Sequence, residues 1–178
     1  MPTIEKPTLL RAILSWGKVF MTALIIAFLL REFVVVNAQV VTGSMEPTIM
    51  AGDRVIFLRT AYLFHDPERF DVIAFDFFED GESLIYVKRV IGLPGEQVEI
   101  INGQVFIDGE YNDFAHGSQI GNYGPFLIPD GHFFVLGDNR NHSSDSRNWP
   151  NPFLPREQIL GRAAFSHFPR LAVIERSS

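Results

Sequence analysis

The apolar run from Val19 to Leu30, bounded by Lys18 before it and by Arg31 and Glu32 after it, constrains this chain more than any other stretch. Residues this apolar belong in lipid or in a protein core. Crossing a bilayer takes about 20 residues, so a span must also recruit Ala12 to Gly17, giving a segment of about 12–31 in which Lys18 snorkels or faces a partner. Lys6, Arg11 and Lys18 outnumber Arg31, which orients the amino terminus towards the cytoplasm and everything after Arg31 to the outside. Two other readings compete: a cleaved signal peptide, prompted by the small-residue pattern around Val36, Asn37 and Ala38, and a buried core helix. Arg31, Glu32 and the bulky Phe33 to Val36 make a poor approach to a cleavage site, and the isolation of the apolar run speaks against a core helix. The expected organisation is a short cytoplasmic tail over 1–11, a transmembrane anchor over 12–31 and an extracytoplasmic domain over 32–178.

Beyond Phe33 the pattern becomes β. With 17 phenylalanines, 14 glycines and 11 prolines, the chain suits short strands and tight turns. Val34 to Val36, Gln39 to Val41, Arg54 to Leu58, Asp71 to Phe78 and Ser83 to Ile91 read as strands, with a turn over 79–82. The plainest hairpin joins Val98–Ile101 to Gln104–Ile107 through Asn102 and Gly103, a pair that suits a type I′ turn. That register sets Ile100 opposite Val105 and Val98 opposite Ile107. Residues 110–130 show little periodicity and read as an excursion. Gly131 to Leu136 reads as a buried strand, and Gln158 to Phe165 as a last short segment. A chain of 178 residues holds one sizeable core.

Charge and composition remove several functions. The net charge of −6, with no Lys/Arg block, speaks against a nucleic-acid partner. The absence of cysteine excludes disulfides, thiol catalysis and Cys-based zinc sites. No His-x-x-x-His or comparable spacing suggests a metal, and no cofactor is called for.

Three constellations carry possible chemistry. The turn Thr42 to Thr48 presents Ser44 beside Gly43, with Pro47 preventing an ordinary strand from continuing. A serine hydroxyl needs a base to become a nucleophile. Lys88 lies inside an apolar strand where alternation sends it one way and Val87 and Arg89 the other, so one of Lys88 and Arg89 should point inward. Burial lowers a lysine pKa, and a fall of about two units costs ~2.7 kcal/mol. A neutral lysine near Ser44 would serve as general base. Taken singly, Lys88 reads as a solvated strand lysine and Ser44 as a turn serine bonded to local backbone. In the polar loop 137–147, Asp138, Arg140, Asp145 and Arg147 offer a bidentate carboxylate–guanidinium pair that would hold Ser143 or Ser144 against a neighbour. His65, His116, His132, His142 and His167 are the candidate bases of a rival Ser-His-Asp hydrolase, none with a local signature. An anchored, non-catalytic β module that binds extended peptides would share the same strands and groove without needing a serine and lysine face to face. A repressor-like Ser/Lys autoprotease would use the same pair, but no DNA-binding segment precedes Ser44.

Four ordered segments together resemble the type I signal peptidases, the membrane-anchored Ser/Lys endopeptidases that remove signal peptides from exported preproteins. They are the anchor; Gly43 to Thr48 followed by Gly52 and Asp53; Tyr86 to Glu96; and Gly137 to Arg140 with Ser143, Asp145, Ser146 and Arg147. The resemblance implies a mostly β fold, an antiparallel β-sheet or barrel-like catalytic domain with a β-hairpin-rich extension, preceded by one N-terminal transmembrane helix. It implies Ser44 as nucleophile and Lys88 as general base. The oxyanion hole would be the Ser44 backbone N–H and the Thr42 hydroxyl, where the family often has serine. By the same resemblance Ser143 orients the lysine, and Asp145 with Arg147 braces the site. Val40, Met45, Ile49, Tyr86 and Val87 fall where the family lines its substrate pockets, implying small residues at −1 and −3. Glu96 and Ile49 replace the family's usual Asp and Leu. The substrate would lie as an added strand between residues 38–42 and 84–87. The implied partners are preprotein signal peptides and membrane lipid, at the cell membrane.

Overall fold

The computed structural model describes residues 9–79, 81–112 and 121–174. Most of the expected tail over 1–11, His116 and Asp80 of the expected 79–82 turn lie outside them. The chain divides into two units, Met1–Val34 and Val35–Ser178.

The first unit contains one helix, α1 (Leu9–Phe33), of 25 residues. Its sequence holds no proline and many straight-chain residues, and it gives way at the β-branched Val34 to Val36. Trp16, Phe20, Ile25 and Phe28 along it are all exposed. Among the described residues, no helix is long and apolar enough to cross a membrane.

The second unit is β. One sheet runs in the order β1 (Val35–Gln39), β2 (Arg54–Leu58), β11 (Ile159–Phe168), β3 (Val72–Glu79), β4 (Glu82–Gly92), β9 (His132–Leu136), β10 (Leu154–Pro155), with β12 (Ala172–Val173) beside β11. A second sheet orders β7 (Glu110–Asn112), β6 (Gln104–Ile107), β5 (Gln97–Ile101) and β8 (Tyr123–Leu127). Every pairing is antiparallel. The β5–β6 hairpin has the expected register, Val98 opposite Ile107 and Ile100 opposite Val105. Asn102 and Gly103 take φ of 51° and 82°, the paired positive values of a type I′ turn.

Two expectations need correction. The excursion over 110–130 contains strands β7 and β8, which flank the hairpin. The last short segment is the ten-residue β11, which lies between β2 and β3 in the middle of the large sheet. Gly161 makes that position possible, since a Cβ there would come within 2.7 Å of the Leu58 carbonyl oxygen.

Strands β3 and β4 position the site. β3 is buried on both faces: Val72 and Ala74 pack with Val40, Met45, Ile49 and Val87, while Ile73 and Phe75 pack with Val90, Val135 and Trp149. β4 pairs with β3 from Glu82 to Arg89, but with β9 only from Arg89 onward. Its other edge, from Glu82 to Lys88, has no strand partner among the described residues, and neither has the outer edge of β1. These open edges border one cavity.

Candidate active site

Ser44 sits in a short 3₁₀ turn, Gly43–Met45, whose close is a hydrogen bond from the Glu46 N–H to the Gly43 carbonyl at 3.2 Å. The chain reaches this turn already fixed to its neighbour, because Val40 N–H donates to the Asp53 carbonyl and Gly52 N–H to the Val40 carbonyl. Met45 and Ile49, both fully buried, fasten the turn to the core. From the opposite side, Asn139 clamps it: its N–H donates to the Ser44 carbonyl at 3.0 Å and its side-chain amide to the Gly43 carbonyl at 3.1 Å. The nucleophile candidate therefore stands on backbone tied at both ends.

Lys88 Nζ lies 2.8 Å from Ser44 Oγ in a buried contact, and 3.2 Å from the Val87 carbonyl oxygen. Its position over the Tyr86 ring, 5.4 Å from the centroid, adds a cation–π contact. Burial pushes the Lys88 pKa down from 10.5 to about 8, against the opposing pull of Asp145 and Asp138. A pKa near 8 leaves roughly one lysine in ten neutral at pH 7. The ammonium donates to Ser44 Oγ; the neutral amine can accept the serine proton across the same distance. Thr42 Oγ1 donates to Ser44 Oγ at 3.2 Å, so two polar side chains converge on that one oxygen.

Of the histidines expected as rival bases, His65, His132, His142 and His167 are described. Their hydrogen-bond partners are Asp66, Asp130, Asn139 and Asn37, and none bonds Ser44. Among the described residues, no group of three His, Cys, Asp or Glu side chains is placed to hold a metal ion.

The cavity beside Ser44 measures about 470 Å³ and is lined by residues 37–42 and 85–88, together with His142 and Ser144. Of the expected pocket residues, Val40, Tyr86 and Val87 border this space, while Met45 and Ile49 lie packed behind it.

The loop after β9 braces the site through two buried ion pairs. Asp145 accepts from Arg147 Nε at 2.8 Å and Nη2 at 2.9 Å, and its Oδ2 also accepts the Gly137 N–H. Asp138 does not pair within its loop but meets Arg89 Nε at 2.8 Å and Nη2 at 2.7 Å, and takes the Thr48 hydroxyl as well. Sequence reasoning missed this cross-link, whose partners are 49 positions apart. It also expected only one of Lys88 and Arg89 to point inward; both are buried, at 4% and 1% exposure, on opposite faces of β4.

Two members of the loop behave differently from expectation. Arg140 is buried with no acceptor for Nε or Nη1 among the described residues, and burial, followed by the charge of Arg147, pushes its pKa down to about 10. Ser143 Oγ is shielded and forms no hydrogen bond among the described residues, so the expected link from Ser143 to Lys88 is not made. Gly137 lets Ser143 approach, since a Cβ there would stand 2.5 Å from both Ser143 Cβ and the Ser44 carbonyl oxygen.

Known proteins carry the same arrangement of sequence. Residues 13–168 match the family described as signal peptidase, peptidase S26. The chain is 38% identical over 166 residues to a probable signal peptidase I-2 of Synechocystis, covering 88% of this chain and 73% of that one. With signal peptidase I S of Bacillus subtilis it shares 34% identity over 174 residues, covering 89% and 91%. A crystal structure of a signal peptidase I from Enterococcus faecalis aligns with TM-score 0.45 and 31% identity, covering 55% of this chain and 96% of that one. The chain belongs to the signal peptidase family, peptidase S26.

Proposed function

We propose that this chain is a serine endopeptidase that removes signal peptides from exported preproteins, with Ser44 as nucleophile and neutral Lys88 as general base. The observation that carries the reading is the buried 2.8 Å contact between Ser44 Oγ and Lys88 Nζ at the base of an open groove. Ser44 Oγ attacks the scissile carbonyl as Lys88 takes its proton. The tetrahedral oxyanion is stabilised by the Ser44 N–H and the Thr42 hydroxyl, and Lys88 then protonates the leaving amine. A water molecule, deprotonated by Lys88, hydrolyses the acyl-enzyme and restores Ser44. Asp145 and Arg147 brace the loop against which this happens, and Ser143 packs beside Gly137 behind the Ser44 turn.

The substrate adds a strand between the open edges of β1 and β4, its backbone satisfying N–H and C=O groups on both sides. Val40 and Val87, with Met45 and Ile49 behind them and Tyr86 alongside, favour small residues at −1 and −3. Residues 12–31 anchor the chain, with the amino terminus cytoplasmic and residues 32–178 outside, forming the catalytic domain in contact with lipid; the exposed apolar side chains of α1 support this. Because the chain has no cysteine, single cysteines placed at positions 5 and 110 test the topology directly by labelling from either side.

The test of the chemistry is cleavage of a preprotein in detergent by the wild type, Ser44→Ala, Lys88→Met and each His→Ala variant. Loss in the first two and retention in the histidine series is expected. Cleavage that survives either dyad change, or vanishes with a single histidine, overturns the mechanism.

A further inference from the structure

The strand slot of the groove ends abruptly. Residues 37–42 and 85–88 both run, with increasing number, towards Ser44 and Lys88. At Arg89 the free edge of β4 is taken by β9, through the pairing of Arg89 with Leu136. A bound chain cannot continue as an added strand past Lys88, and must leave over the loop that follows β9. The apolar walls, Val40 and Val87, belong to the side before the cut. His142 and Ser144 are the loop's two contributions to the cavity lining, on the loop over which a chain leaving past Lys88 must run.

His142 is fitted for recognition by its surroundings. Its Nδ1 lies 3.3 Å from Asn139 Oδ1, while the amide nitrogen of Asn139 donates to Gly43. An amide oxygen only accepts, so Nδ1 carries the proton and Nε2 of the neutral ring is left as an acceptor. No other hydrogen bond engages the ring among the described residues, and the side chain is exposed. The same asparagine that ties His142 also ties the Ser44 turn, so the imidazole is held in register with the nucleophile.

We propose that His142 is a specificity-determining residue that accepts a hydrogen bond from a donor on the first or second residue after the scissile bond. The inference rests on the peptidase reading and adds to it a preference on the far side of the cut, separate from the small-residue pockets.

The experiment uses the whole chain in detergent at about pH 8, near the Lys88 pKa. Substrates share one signal sequence and differ only by Gln or Glu, in turn at the first and second positions after the cut. Wild type is expected to favour Gln at one of them by about three- to tenfold in kcat/KM, the size of one hydrogen bond. In His142→Ala that ratio falls to about one, and in His142→Gln, which restores an acceptor, part of it returns, while the preference for Ala over Val at −1 stays as in wild type. Each ratio is internal to one variant, so partial loss of folded enzyme cancels. A Gln preference absent from wild type, or intact in His142→Ala, overturns the proposal, as does a −1 preference that falls alongside it. If wild type cleaves none of the substrates, the peptidase reading fails as well.

Discussion

Lys88 and Arg89 are consecutive residues on β4, both hidden from solvent, and the two faces of the strand treat them in opposite ways. On one face Arg89 is fully matched: Asp138 accepts two of its N–H groups, the Phe70 carbonyl a third, and Thr48 joins the network. On the other, Lys88 has, among the described residues, only neutral oxygens within reach, from Ser44 and Val87, and its nearest carboxylates act at longer range. A paired cation is held as a charge and cross-links the structure. An unpaired one is pressed towards neutrality, which is the state a base requires. On the proposed mechanism, function at this site depends on withholding from one residue the partner given to its neighbour.

The largest effect that would break this comparison is on activity. Lys88→Met should cut kcat by about 10⁴-fold or more, as loss of a catalytic base does elsewhere, with preprotein turnover as the measure. Its thermal midpoint should hold or rise, because the change removes a buried cation with no carboxylate partner. A lower midpoint would mean that Lys88 is structural in the way Arg89 is.

Arg89→Met should reverse the pattern. It leaves Asp138 as an uncompensated buried charge, and chemical denaturation should report a loss of about 3–5 kcal/mol. Adding Asp138→Leu should recover most of that loss, since replacing both members of a buried pair is far milder than breaking it. Failure to recover would place the cost in packing instead of charge.

The smallest effect concerns pH. Below about 8, kcat/KM should fall close to tenfold per unit as Lys88 takes up a proton, with Lys88 desolvation setting the midpoint. The folded pKa is depressed, so between about 8 and 10.5 the unfolded chain binds the extra proton and the Lys88 contribution to stability rises with pH. In Lys88→Met this contribution should disappear from the stability profile, while Arg89→Met should retain it. An acid limb that is flat in wild type would remove lysine from the role of base.

Local signals made much of this legible in the sequence. Asn102 and Gly103 fix a turn type through their own backbone preferences, and the hairpin follows. The Ser44 turn and the apolar setting of Lys88 were equally visible, and their meaning came from family likeness joining segments 44 positions apart. What escaped notice depended on contacts that no local pattern encodes. Gly161 gives no local sign of its role inside the segment Gln158 to Phe165, yet it is what allows β11 to pass close to Leu58 in the centre of the sheet. Asp138 reads as a partner for the arginines of its own loop, and pairs instead with a strand brought alongside by β9. His142 reads as a loop neighbour until the end of the strand slot is seen.

The open edges of β1 and β4 have one more consequence. Main-chain groups are the same in every polypeptide, so a slot that binds backbone accepts any extended segment and reads almost none of its lettering. The vocabulary such an enzyme recognises is therefore short, a few positions spelled by pocket size and by the exit, written onto a grammar common to all chains. That is how a single groove can serve many unrelated sequences, and why the grip on each should be brief.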